Sequence, residues 1–237
     1  KGLPLTIPRS YWGQLAKLTL FNMVLWHCLI IIAIPTLSSG RAAILGYTMP
    51  IFSAVFGSLF FKDKLGPRAW AGVGAAFLGV LLLLWHEVGA LGSKPLGVML
   101  MLIAAAGWAW GTQLLRRTEA PVPLMTLSLW MVAITTVVLT VLAFTFERKQ
   151  WHAPDQSAMA AIAFNGVLVL GFAQAVWFYL ARSLPPVAST LSVMMIPVLG
   201  VFIGAWWLGE VLHWQDWTAV CLMVVAIASV LWPSKKA

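Results

Sequence analysis

Charged residues cut this chain into eight stretches free of Asp, Glu, Lys and Arg: Leu18–Gly40, Ala42–Phe61, Ala69–His86, Leu96–Leu115, Ala120–Phe146, Gln156–Ala181, Ser183–Gly209 and Trp217–Ser234. A hydrocarbon core of about 30 Å takes roughly 20 apolar residues as a helix. No water inside that core satisfies backbone N–H and C=O groups, so a crossing segment must be a helix or part of a closed barrel. Barrel strands alternate polar and apolar residues over about ten positions, and these runs do not. The expectation is therefore an all-α polytopic membrane protein with eight spans, consecutive helices packing antiparallel across short connections. Composition agrees, with 61% hydrophobic and 9% charged residues, against roughly 25% charged in soluble domains. A soluble globular enzyme, a disordered chain and a disulfide scaffold are excluded on these grounds.

The net charge of +8 forms no basic stripe of the kind nucleic acid needs. It reads as loop bias across a bilayer. With both termini placed in the cytoplasm, the inner segments hold Lys1, Arg9, Lys17, Lys62, Lys64, Arg68, Arg116, Arg117, Arg182, Lys235 and Lys236. The outer ones hold only Arg41, Lys94, Arg148 and Lys149. Cys28 and Cys221 fall inside spans and read as reduced packing residues.

An internal repeat appears when the sequence is shifted by 147 positions. Pro50 then falls on Pro197, Ser53 on Gly200, Gly57 on Gly204, Asp63 on Glu210, Trp70 on Trp217 and Trp85 on Trp232. The shift carries the second span onto the seventh, an odd number of helices, so the copies have opposite orientation. Inverted-topology repeats are the architecture of many secondary transporters. The second copy, 94–237, holds five spans. The first, 1–93, holds three, and the register calls for two more ahead of it: eight helices of an expected ten, arranged 5+5.

The stretches GRAAILGYTMPIFSAVFGSLFFKDKLGPRAWAGVGAAFLGVLLLLW and PPVASTLSVMMIPVLGVFIGAWWLGEVLHWQDWTAVCLMVVAIASVLW each run a Pro-containing span into an acid, a short loop and a Trp-led span. Together with IAAAGWAWGTQLLRR they resemble the drug/metabolite transporter superfamily, EamA type, over the whole chain. Within it the aromatic-rich spans look most like YddG-type aromatic amino-acid exporters. Asp63 departs from the Glu usual in the family. The resemblance implies a substrate cavity between the two halves, lined here by the first, second, fourth, sixth and seventh spans.

Several residues stand out as candidates for that cavity, each with a plainer alternative. Pro50 and Pro197 sit near mid-span, where a proline frees a carbonyl and bends the helix; they read as hinges or as tolerated kinks. His27 is the one ionisable side chain deep in a span, a functional candidate by position or a histidine bonded to backbone. Asn22 and Trp26 are four apart on one helical face. Tyr47 precedes Pro50 by three, and its hydroxyl needs a partner. Trp110 shares a face with Gly107 and Gln113, and Gln174 lies three before Trp177. Each aromatic of this set is either a stacking surface for substrate or ordinary packing. Small residues four apart, such as Ser53/Gly57 and Gly107/Gly111, read as helix-packing seams.

The spans contain no Asp or Glu, so a proton relay would fall to His27, and a facilitator is at least as well supported as an antiporter. No HExxH, GxSxG or Walker A motif occurs, and none asks for a cofactor or metal. The expected function is export of small amphipathic metabolites, aromatic or apolar amino acids first, from a bacterial inner membrane by alternating access. The alternatives are a general drug or other-metabolite exporter and, from another class, a membrane-embedded lipid-modifying enzyme. The expected partners are the small-molecule substrate and the lipid bilayer, with the protein a monomer or a dimer.

Overall fold

A computed structural model describes residues 4–37, 39–84, 95–184 and 214–231, together with eight isolated positions between 193 and 212. Among the described residues every regular element is helical. The helices are α1 (Arg9–Thr36), α2 (Ser39–Gly46), α3 (Met49–Phe61), α4 (Pro67–Leu84), α5 (Pro95–Arg117), α6 (Leu124–Glu147), α7 (Gln156–Ser183) and α8 (Trp214–Leu231). Six segments are long and apolar enough to cross a membrane: α1, the α2–α3 unit from Ile44, α4, α5, α6 and α7. The apolar part of α8 is shorter, Trp214–Ser229. The chain is thus an all-α polytopic membrane protein. The seventh expected span, Pro197 included, lies largely outside the described residues.

Two spans differ from the charge-free runs. The first begins at Arg9 rather than Leu18, because Arg9 and Lys17 extend the helix beyond the apolar run. The second is broken. Pro50 lies in the first turn of α3 instead of bending one continuous helix. It has no N–H for the carbonyl of Gly46, and the Tyr47 and Thr48 amides fold back onto Ile44 and Leu45. The Thr48 hydroxyl donates to the Leu45 carbonyl as well, at 2.6 Å. Proline is at home in a helix's first turn, so the break costs little.

The bundle is organised on α5, which packs against α1, α2, α3 and α7. Half of its apolar window is buried, against none in α7. Gly97, Gly107 and Gly111 mark where partners press on it. A Cβ at Gly97 would collide with Thr36 and Leu37, one at Gly107 with Leu25, and one at Gly111 would lie 2.6 Å from Asn22 Nδ2. Three apolar clusters follow. Leu15, Leu18, Leu115, Leu127, Met131 and Phe178 join α1, α5, α6 and α7. Ala33, Leu45 and Met101 join α1, α2 and α5. Ala76, Val80, Ala219 and Met223 pair α4 with α8.

Candidate functional site

Buried polar groups lie on the helices around the α1–α5 crossing. Asn22 sits in a π-helical turn, Leu20–Val24, a local widening that recurs at functional sites. It lies against Gly111, and its Nδ2 donates to the Leu18 carbonyl at 3.1 Å. Next along α5, Thr112 is fully buried. One turn back, Trp108 stacks on Trp177 of α7, ring centroids 4.8 Å apart and planes 30° apart. Gln174 lies one turn before Trp177 on α7.

Asn22 Oδ1, Thr112 Oγ1, Gln174 Nε2 and Trp177 Nε1 are all buried without a hydrogen-bond partner. Unmade hydrogen bonds in an apolar setting cost roughly 1–3 kcal/mol each. Four such atoms lie on α1, α5 and α7: two donors on α7, an acceptor on α1, and a hydroxyl on α5 that does either. The Trp108–Trp177 pair supplies an apolar aromatic wall beside them.

The structure divides the candidate residues read from the sequence. Asn22, Gln174 and Trp177 each carry one of these unpartnered buried atoms. Trp26 does not join Asn22; it turns toward α2, its ring 3.2 Å from where a Gly46 Cβ would sit, and packs near Met101. The Nδ1 of His27 is 2.7 Å from the Met23 carbonyl, a bond within its own helix. Tyr47 packs toward the α4–α8 cluster rather than sharing the setting of the buried Pro50. Trp110 is boxed by Phe56, Phe60 and Phe61, centroids 5.1–5.7 Å away, an α3–α5 seam rather than the polar pocket. Pro197 lies outside the described residues. Thr112 was absent from the sequence reading, since a threonine in an apolar run gives no signal until its neighbours are known. Trp108 was readable only as one of many tryptophans. Among the described residues, no three His, Cys, Asp or Glu side chains gather as metal ligands would.

A second polar group joins the C-terminal halves of α3 and α5. The Gln113 Nε2 donates to the Ser53 carbonyl and, at 3.1 Å, to its hydroxyl. The Gln113 Oε1 accepts from Arg117 at 2.6 Å. Arg117 pairs in turn with Asp63 and lies 4.2 Å over the Phe61 ring. Asp63 makes contacts at two places. Its amide caps the helix, donating to the Gly57 carbonyl at 2.9 Å, while its carboxylate reaches another span.

The model of the EamA-like transporter family matches residues 1–85 and 95–232. The chain belongs to that family. An uncharacterized inner membrane transporter, YedA of Escherichia coli, is 29% identical over 83% of this chain. An uncharacterized transporter, YoaV of Bacillus subtilis, is 27% identical over 70% of it. The matches span 65% and 57% of those relatives' own lengths. A solved crystal structure superposes on 96% of this chain and 77% of its own, with a TM-score of 0.76 at 19% identity; that likeness shows the fold alone.

Proposed function

We propose that this EamA-family chain is a secondary transporter that exports small amphipathic metabolites, aromatic or apolar amino acids first, across a bacterial inner membrane by alternating access. The observation that carries the reading is the buried set of Asn22 Oδ1, Thr112 Oγ1, Gln174 Nε2 and Trp177 Nε1 beside the Trp108–Trp177 stack. A zwitterion has an ammonium for the acceptors and a carboxylate for the donors. An aromatic or branched side chain suits the indole wall. Without a fixed charge among these four groups, recognition is broad and affinity modest.

The repeat register divides the chain into halves 1–93 and 94–237, with two further spans called for ahead of the first. The packing of α4 on α8 supports this division, because the register equates those two helices, and equivalent elements meet beside a two-fold axis. Similarity to YedA, an uncharacterized inner membrane transporter, and the uneven placement of Lys and Arg support an inner-membrane setting with both termini cytoplasmic.

The test is flux in proteoliposomes of labelled Trp, Phe, Met, Thr and a cationic dye, with and without a pH gradient. Amino-acid flux that falls in Gln174→Ala is the expected result. Flux of the dye alone favours the general drug exporter. Flux of nothing tested removes the amino-acid reading.

A further inference from the structure

We propose that the group Ser53–Gln113–Arg117–Asp63 is a latch that holds the two repeat halves together at the inner face, and that opening toward the cytoplasm requires it to part. The proposal rests on the transporter reading for its purpose, but its geometry stands alone. The register assigns α3 to the first half and α5 to the second, and each bond of the latch joins those two helices or braces a member that does. Gln113, 1% exposed, bonds to both oxygens of Ser53 across the seam. Arg117 ties the Gln113 carbonyl side to Asp63 and covers Phe61.

The backbone is shaped to deliver the carboxylate. Lys62 takes a left-handed conformation with φ 58°, the one such non-glycine among the described residues. Its amide and that of Asp63 both donate to the Gly57 carbonyl. This turns the chain so that Asp63 folds back over its own helix toward α5. Gly57 is required for that return. A Cβ there would lie 2.6 Å from Asp63 Oδ2 and 2.8 Å from Gln113 Nε2. Side-chain exposures of 31% for Arg117 and 22% for Asp63 place the pair at a partly wetted rim. A charge-assisted bond there exceeds a free surface pair, yet water entering between the helices replaces it. That balance suits a contact that must break in each cycle.

The experiment measures shape without substrate. The full chain, with Cys28→Ala and Cys221→Ala, carries spin labels at Lys64→Cys and Glu119→Cys, exposed positions just beyond α3 and α5. Pulsed electron paramagnetic resonance in lipid nanodiscs reads their separation. Arg117→Ala and Gly57→Ala should each add a longer-distance population, raising the open-to-closed ratio roughly threefold to tenfold. The exchange Asp63→Arg with Arg117→Asp should return the distribution toward the parent. Gly74→Ala, whose Cβ meets nothing within 4 Å, should leave it unchanged. An unchanged distribution in Arg117→Ala and Gly57→Ala, in protein that still elutes as a folded peak, overturns the latch. A distribution that widens as much in Gly74→Ala overturns it too. A shifted distribution with no flux of any compound upholds the latch and removes the transport reading.

Discussion

At the scale of single residues, the glycines of α5 are the clearest expression of how this chain folds. In a bilayer, lipid tails compete with apolar side chains, so helices associate through close backbone approach and shape fit. Gly111→Ala would drive a methyl to 2.6 Å from Asn22 Nδ2 and 2.8 Å from the Asn22 amide nitrogen. It should destabilise the protein by about 1–3 kcal/mol, read as a lower unfolding temperature in detergent. Gly13→Ala, with open space around its Cβ, should not. Trp177→Phe keeps an aromatic ring against Trp108 but removes the unpartnered N–H. If that N–H meets substrate, flux falls by about fivefold to tenfold while the unfolding temperature holds. A parallel loss of both would mean the indole only packs. The small-residue spacing of the seam was legible in the sequence. What it faces was not, since a Gly-x-x-x-Gly pair names no partner. Thr112 was invisible for the same reason: one hydroxyl among apolar letters acquires meaning only when three helices meet around it.

At the scale of elements, the second span shows what a pattern of letters can and cannot specify. Pro50 signals an interruption, and the spacing places it inside a charge-free run. The letters do not say whether the helix bends or stops. It stops because the amides of Tyr47 and Thr48 find carbonyls three residues back and Thr48 adds its hydroxyl. Pro50→Ala restores the missing N–H. It should join α2 to α3, slow amide hydrogen exchange at 47–50 and reduce flux several-fold. Unaltered exchange would show that the packing of Gly46 against Trp26, and not the proline, sets the break. The failure of Tyr47 to share the setting of Pro50 follows from the same interruption. Helical spacing predicts a common face only while the helix continues, and Tyr47 lies in the turn that precedes the helix holding Pro50. Trp110 illustrates the converse. Its helix is regular, but the face it occupies is lined by phenylalanines of α3 that only tertiary contact brings there.

At the scale of the whole molecule, the sequence was most informative where physics leaves few choices. Helical class follows from the cost of leaving backbone groups unpaired in hydrocarbon, and six of the eight charge-free runs correspond, among the described residues, to helices long and apolar enough to span. The candidate site was less legible, because its groups come from helices far apart in the chain. The charge bias makes a prediction at this scale. Single cysteines at Lys64 and Glu119 should react with an impermeant maleimide only from the inner side of oriented vesicles, and one at Lys149 only from the outer side. Labelling of all three from one side would refute the topology. The span lengths have a consequence of their own. At up to 1.5 Å per residue, the 26-residue charge-free run of α7 reaches at most about 39 Å, whereas the 18 residues of α4 reach about 27 Å. The perimeter thus presents the membrane with unequal heights. Lipids beside α7, whose apolar window buries nothing against protein, must stretch or the helix must lean, while those beside α4 must compress. Mismatch of this kind carries a cost for every ångström of difference, so lipid composition acts on this helix bundle from outside.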